Sequence, residues 1–487
     1  MGKNIKHNYI LNMIYQILAL IVPFITTPYI ANVLSKQQIG IYNYTFSVVS
    51  IFMNFIINGC QQYGVREVAY SPLEKRKNTK LIVELTVLKC VCLLLALIPY
   101  IIIIVYSEPL YRNMYIINFF ILIGYVIDIS WYFQGIEEFK KIVIRNIIIK
   151  VFGMISIIIL VKGMDDFYIY VVINAAILLI GNLSLWIGIK KYVDFSNIMS
   201  LNIKIHIKPS LIFFIPSISS ILYAYVDKIF LGIFSDSVEV AYYTQAEKIV
   251  KMLITIITAM ETVLLPRLSY HLKKGNMDIA ISYMYKGIRF VFLIATPLVF
   301  GLFYIAPFFI PVFLGAGYEK SIINTRISCI LIFSIGVASI LGTTVMIPIG
   351  KQKIYNGIIV IASIGNCILN LFLIPYLQSY GASLATVITE TFITICILYN
   401  LREYIKFSRV VKENYKYVVA SVIMLCSLKL FEERYASNIQ TIIGIGLIGG
   451  IVYLIVLIIY KDFMIYEAFQ YIMDKIKRKD KNEDKNK

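Results

Sequence analysis

Along the chain, runs of about twenty apolar residues alternate with short polar connections. A helix needs roughly 17–25 mainly apolar residues to cross the hydrocarbon of a bilayer. Fourteen runs meet that need: 9–31, 40–62, 81–105, 113–133, 143–161, 167–189, 209–233, 240–265, 287–312, 322–348, 354–374, 380–400, 416–431 and 440–460. The pattern predicts an all-α integral membrane protein with about 14 transmembrane helices. The first run follows Lys3 and Lys6 as a signal peptide would, but it is too long for a signal core and lacks a small-residue cleavage site, so it is expected to stay as a span. Residues 466–487 read as a basic, charged tail.

Composition agrees, with 59% hydrophobic and 15% charged residues, against about 45–50% and 25% in soluble chains. Lysine and arginine test the map independently, because they concentrate on the cytoplasmic side of a membrane protein. Thirty-four of the 46 lie in or bordering the connections on the side of both termini, among them Arg66, Lys75, Arg76, Lys77, Lys80, Arg267, Lys273 and Lys274. Seven lie opposite: Lys36, Arg112, Lys162, Lys320, Arg326, Lys429 and Arg434. Lys89, Lys150, Lys228, Lys248 and Lys251 fall inside spans. Both termini are therefore expected to be cytoplasmic. The net charge of +18 is a topology signal together with attraction to anionic membrane lipids, and calls for no nucleic acid. The seven cysteines sit mostly in apolar runs and the three histidines stand alone, so neither a disulfide framework, a metal site nor a cofactor is expected.

Shifting the chain by 201 residues lays spans one and two on spans seven and eight: Gly40-Ile41-Tyr42 meets Ala241-Tyr242-Tyr243, and Arg66 meets Arg267. Two repeats of six spans and equal orientation, related by an axis along the membrane normal, follow. The expected organisation is an N-terminal lobe at 1–200, a pseudo-symmetric C-terminal lobe at 201–405, two additional helices at 406–465 and the tail at 466–487.

Polar residues repeat in register. Asn43, Ser47, Ser50, Asn54 and Gln61 share one face of span two at helical spacing, and the shift lays them on Thr244, Lys248, Lys251, Thr255 and Thr262, with Glu247 and Thr258 extending the second stripe. A single hydroxyl or amide in a span ordinarily joins helices. Two stripes in one register point instead to a water-filled cavity between spans two and eight, with one and seven beside them. Charge inside a span costs about 2.5–3.5 kcal/mol per residue at the centre, and Asp227, Lys228, Glu247, Lys248, Lys251 and Glu390 all incur it. Asp227 and Lys228 read equally well as rim residues, and Glu247 with Lys251 as a private i,i+4 pair. Lys248 then lacks a partner on its own helix. Glu390, Asp227 and Glu247 are the candidates for coupling to an ion.

Two motifs fall away. Gly444-Ile445-Gly446-Leu447-Ile448-Gly449 matches the dinucleotide fingerprint in form only, since it lies within an apolar helix, where close packing is the expected use. No GxxxxGK[ST] sequence occurs, which excludes ATP hydrolysis by a P-loop.

The segment "DISWYFQGIEEFKK" closes span four with an aromatic cluster, Trp131-Tyr132-Phe133, expected to form a belt at the membrane rim, before Lys140 and Lys141. Together with Arg145-Asn146, "VKGMDDFYIY", "VDKIFLG" at 226–232, "AYYTQAEKI" at 241–249 and "NLFLIPYLQSYGASLATVITE" at 370–390, it resembles the O-antigen and capsular polysaccharide repeat-unit flippases of the multidrug/oligosaccharidyl-lipid/polysaccharide exporter superfamily. The resemblance covers nearly the whole chain. It implies a MATE-like two-lobe cavity and alternating access. Its substrate would be an oligosaccharide on undecaprenyl pyrophosphate, carried to the outer leaflet of the bacterial cytoplasmic membrane for a polysaccharide polymerase to use, with H+ or Na+ as counter-ion. In that frame Lys248, Lys251 and Lys228 suit the phosphates, Asn43, Ser47, Ser50, Asn54, Gln61 and Thr255 the sugar hydroxyls, and the two extra helices a groove for the lipid tail. Three alternatives are weighed. Peptidoglycan-precursor flippases of the superfamily carry charge in spans one and two, absent here; multidrug exporters usually have twelve spans; and a polymerase would carry a large outer loop.

Overall fold

The computed structural model describes residues 2–72, 74–194, 201–430, 438–467 and 470. Most of the 466–487 tail, and Arg434, lie outside them. The described residues are helical throughout, with no strand among them. The helices are α1 (Gly2–Val33), α2 (Lys36–Tyr70), α3 (Lys75–Tyr106), α4 (Pro109–Val126), α5 (Ser130–Gly135), α6 (Phe139–Leu160), α7 (Phe167–Ser184), α8 (Lys204–Phe234), α9 (Ser237–Thr258) and α10 (Glu261–Lys273). They continue with α11 (Met277–Leu314), α12 (Glu319–Ser328), α13 (Ile330–Leu341), α14 (Gln352–Leu377), α15 (Ser379–Asn400), α16 (Phe407–Lys429) and α17 (Ile439–Ile459).

Eleven helical segments among the described residues are long and apolar enough to cross a membrane, twelve if α9 and α10, bent by 41°, count as one. The other two expected spans, 9–31 and 416–431, lie on α1, whose described apolar part is Leu20–Val33, and on α16, whose first turns carry Arg409, Lys412, Glu413 and Lys416. Those charges dilute the apolar run and leave the count of fourteen resting on these two helices.

The 201-residue repeat reaches the helix caps. Ser35 starts α2 with a capping box: its Oγ accepts from the backbone N–H of Gln38 at 3.2 Å, and Gln38 Oε1 accepts from the Ser35 N–H at 3.0 Å. At the equivalent position Asp236 Oδ1 accepts from the backbone N–H of Glu239 at 2.8 Å and starts α9. Each side chain satisfies an amide that a helix start leaves orphaned, so the two segments enter their helices at positions 201 residues apart.

The chain divides into two compact units. The first comprises residues 1–248 and 359–389. In it α2 packs on α3, α4, α5 and α8. Gly40 lets the backbones meet: a Cβ there would stand 1.5 Å from the carbonyl oxygen of Ser237. At one end of α2, Cys60, Tyr63 and Val68 join Ile82 and Leu85 of α3 and the aromatics of α5 in one apolar cluster. Here the expected aromatic belt is corrected. Trp131, Tyr132 and Phe133 are all 0–1% exposed, with the Trp131 ring against Gly64. The chain breaks between α4 and α5, and the turn is held by buried donors: Trp186 Nε1 to Ile127 O at 2.7 Å and Lys89 Nζ to Asp128 O at 2.6 Å. That break turns the aromatics inward, and Lys141 covers Phe133 with its ammonium 4.1 Å from the ring centre.

The second unit comprises residues 249–358 and 390–487. α11 is its axis, packing on α10, α12, α13, α16 and α17. Tyr304 and Tyr453 tie the last two helices to it, through Tyr304 Oη to Leu428 O at 2.9 Å and Tyr453 Oη to Leu293 O at 2.8 Å. Arg289 of α11 pairs with Glu413 of α16 at 2.6 Å. Beyond α17, Asp462 is buried and accepts from Lys416 and from Tyr417 Oη. The close-packing expectation for the glycines of α17 holds for Gly449 alone, which meets Met424 and Leu428, while a Cβ at Gly444 or Gly446 would meet open space.

Candidate functional site

Three groups of polar residues in the first unit bear on the candidate site. The first is a knot around Asp227 of α8, which is 4% exposed. Its carboxylate accepts from Asn370 Nδ2 at 2.5 Å, Tyr243 Oη at 2.7 Å and Thr386 Oγ1 at 2.9 Å. Asn370 also donates to Asn366 Oδ1 at 3.0 Å. The Asn370 carbonyl oxygen is buried with no partner among the described residues. A buried carboxylate persists only when donors replace its lost water, and α9, α14 and α15 each supply one. One helical step on, Lys228 pairs with Glu247 at 3.0 Å. The pair makes Lys228 a partner of Glu247 rather than a free cation.

The second place is an open cavity of about 230 Å³ whose lining includes Thr26 and Thr27 of α1, Lys150 of α6, Asn174 of α7, and Gln245 and Lys248 of α9. No carboxylate is among its described lining residues. Lys248 makes no hydrogen bond with any described residue, although the Glu247 carboxylate beside it on α9 acts on its charge. Lys150 rests its ammonium 4.5 Å from the centre of the Tyr15 ring, and Gln245 Oε1 is buried and without a partner among the described residues. Two ammonium groups with amides and hydroxyls beside them are donors of the kind that charge-assisted hydrogen bonds to an oxyanion use.

The third place is an open cavity of about 330 Å³ along α2 and α8, lined by Asn54, Asn58, Gln62, Ser217, Ile221, Ala224 and Tyr225.

Of the stripe expected on α2, Asn54 lines the third cavity, and Asn43, Ser47, Ser50 and Gln61 line neither it nor the second. Ser47 and Ser50 are buried, with hydroxyls donating to Asn43 O and Phe46 O at 2.7 Å. Asn43 Nδ2 donates to Ile39 O at 2.8 Å, and Gln61 is half-buried outside both cavities. Hydroxyls that bond the preceding turn are the ordinary use of serine in an apolar helix. Lys251 is exposed and Thr255 Oγ1 donates to its carbonyl at 2.9 Å. The side chain of Thr262 lies outside the described residues. Glu390 is buried in the second unit, its carbonyl accepting from Thr394 Oγ1 at 2.9 Å.

The sequence reading passed over Tyr243, Asn366, Asn370 and Thr386, and did not join Lys150 to Lys248. Asn366 and Asn370 one turn apart in an apolar run carried a signal of their own; their convergence on Asp227, some 140 residues away, did not.

A sequence model of polysaccharide biosynthesis proteins matches residues 5–271. A second, of the lipid II flippase MurJ, matches residues 171–443. A candidate O-antigen transporter of Shigella dysenteriae is 25% identical over 382 residues, which span 77% of this chain and 94% of the relative. One of Escherichia coli K12 is 22% identical over 82% of this chain and 97% of its own length. In fold, the chain is similar to a lipid II flippase MurJ in an inward closed conformation, with a TM-score of 0.73 over 94% of this chain and 99% of that one at 17% identity. An inward-facing MATE multidrug transporter follows with a TM-score of 0.53 over 81% and 99% at 16% identity.

Proposed function

From the premise that the chain belongs to the polysaccharide biosynthesis protein family, which matches more than half of it, we propose that it flips undecaprenyl-diphosphate-linked oligosaccharide repeat units from the inner to the outer leaflet of a bacterial cytoplasmic membrane. The observation that carries this reading is the cavity with Lys150 and Lys248. A diphosphate cannot enter hydrocarbon with its charge uncompensated. A cavity with two ammonium groups and no carboxylate among its described lining residues compensates it, and the lipid chain can stay among lipids. Each charge-assisted hydrogen bond is worth about 1.5–3 kcal/mol, so losing one lysine should weaken diphosphate binding by roughly ten- to a hundredfold.

Translocation is by alternating access in a membrane-embedded, non-enzymatic transporter with both termini cytoplasmic, two pseudo-symmetric six-helix lobes and two further helices. With no P-loop motif in the sequence, the drive is an ion gradient, the membrane potential or the substrate's own gradient, of which the ion gradient is the one proposed. Asp227 is the coupling residue favoured over Glu247 and Glu390: its carboxylate, the unpartnered Asn370 oxygen and the Thr386 hydroxyl are oxygen ligands for H+ or Na+. The product becomes substrate for a polysaccharide polymerase in the outer leaflet. A peptidoglycan-precursor flippase is the second reading, favoured by the match over 171–443. That match omits α1 and α2, where a charged diphosphate site would be needed and the sequence carries no mid-span charge.

The test is the Lys150→Ala/Lys248→Ala variant in cells, with surface polymer and cytoplasmic-leaflet lipid-linked units both measured at matched protein level. Loss of polymer with accumulation of the lipid-linked unit is expected. Full export would overturn the assignment, and failure of cell-wall synthesis instead of surface polymer would move it to the second reading.

A further inference from the structure

We infer that the third cavity is a sugar subsite that selects an uncharged ring bearing an acylamino substituent, with Asn58 and Gln62 as its selecting residues and Tyr225 as the floor on which the ring lies. The inference rests on the proposed function and names which part of the substrate this surface reads.

Asn54, Asn58 and Gln62 follow at i, i+4 and i+8 on α2 and share one face. Asn54 Nδ2 donates to Ser50 O at 2.6 Å and Asn58 Nδ2 donates to Asn54 Oδ1 at 3.0 Å. This ladder fixes the Asn58 amide and leaves its carbonyl oxygen and second N–H without a hydrogen bond to any described residue, on a side chain that lines the cavity. Gln62 is exposed and has no hydrogen bond with any described residue. A donor and an acceptor side by side match the N–H and C=O of an acylamino group, which a hydroxyl-only sugar engages less fully. Across from them Tyr225 of α8 offers an aromatic ring, the usual support for the apolar C–H face of a sugar.

The same surface argues against an acidic sugar. Among its described lining residues none is an ionisable acid or base apart from the Tyr225 phenol. Lys228, whose ammonium stands 6.0 Å from the centre of the Tyr225 ring, is engaged by Glu247. A uronate would lose water there without gaining a partner. At about 330 Å³ the cavity is at the lower end of ligand-site volumes, roughly 300–1,000 Å³, which suits one ring and not a chain of them.

The experiment uses the full-length protein in lipid nanodiscs and three probes: a polyprenyl diphosphate without sugar, the same lipid carrying N-acetylglucosamine, and the same lipid carrying glucuronic acid. Binding of each is measured by thermophoresis. The wild type should hold the N-acetylglucosamine probe about tenfold more tightly than the bare lipid, the worth of one or two neutral hydrogen bonds, and the glucuronic acid probe no more tightly than the bare lipid. Asn58→Ala/Gln62→Ala should abolish the tenfold ratio, and so should the near-isosteric Asn58→Asp. A wild type that ranks the three probes equally, or a variant that keeps the ratio, overturns the subsite. The diphosphate reading is tested separately by the bare probe: if Lys150→Ala/Lys248→Ala leaves its affinity unchanged, that reading fails, whatever the sugar ratio.

Discussion

Gly40→Ala isolates the contact that joins α2 to the start of α9. The new Cβ would stand 1.5 Å from Ser237 O and 2.4 Å from Ser237 C, whereas ordinary contact begins near 3.4 Å. The backbones must therefore part by about 2 Å, since the obstacle is a carbonyl and no rotamer can move it aside. Gaps of even 0.5–1 Å forfeit roughly a quarter to a half of the dispersion well of each atom pair along the seam. Overpacking a tight core costs about 1–3 kcal/mol, occasionally more, and the rigid obstacle puts this case at or above the upper figure. The substitution also removes a helix glycine, a gain of about 0.5–1 kcal/mol, leaving a net loss of about 2 kcal/mol or more. Gly365→Ala on α14 is the control, because a Cβ there meets nothing within 4 Å; it should show the gain alone. Both are read by thermal unfolding in detergent with a thiol-reactive dye reporting exposure of the buried Cys60. The midpoint of Gly40→Ala should fall by about 5 °C or more while that of Gly365→Ala holds or rises. Equal midpoints for the two variants would refute the backbone contact.

Trp131→Ala should destabilise by about 3–5 kcal/mol, as for a fully buried ring, where a lipid-facing belt residue would cost far less; the same melt distinguishes them. Glu247→Gln strands Lys228 and should cost about 1–3 kcal/mol, allowing for partial exposure, whereas Lys228→Met/Glu247→Met should recover most of that loss; no recovery would mean the pair is not coupled. Burial alone would raise the Asp462 carboxyl, but hydrogen bonds from Lys416, Tyr417 and the Ile465 backbone outweigh it and hold the group below its ordinary 3.8. Its stabilisation is therefore complete above about pH 4 and is lost as pH falls through the lowered native value. Asp462→Asn should melt earlier than wild type at pH 6 and lose less on acidification, as melts across pH 3–6 would show.

The sequence carried the fold well and the site unevenly, for reasons visible in particular residues. Span positions depend on local apolar length, so nearly every expected run coincides with a helix, and the repeat register reached the caps at Ser35 and Asp236 because capping is also local. Burial is a tertiary property. Trp131 beside charged residues reads the same whether it faces lipid or core, and only the break after α4, held by Lys89 and Trp186, decides it. The stripe runs along α2, and periodicity cannot say which turns of it a neighbour covers: Ser47 and Ser50 are buried, whereas Asn54, with Asn58 and Gln62 further along the helix, lines a cavity. Lys248 was legible as a cation on the polar stripe of α9. Its companion Lys150 was not, since nothing local to α6 distinguishes it from a lysine near a span end.

The central claim is tested most directly in proteoliposomes containing only this protein and a polyprenyl-diphosphate-linked oligosaccharide loaded in one leaflet, with arrival in the other scored by an impermeant lectin or glycosidase. The account predicts protein-dependent transfer that requires an ion gradient, falls at least about tenfold in Lys150→Ala/Lys248→Ala, and loses its gradient dependence in Asp227→Asn. Transfer at the rate of protein-free vesicles, or transfer untouched by the lysine substitutions, would contradict it.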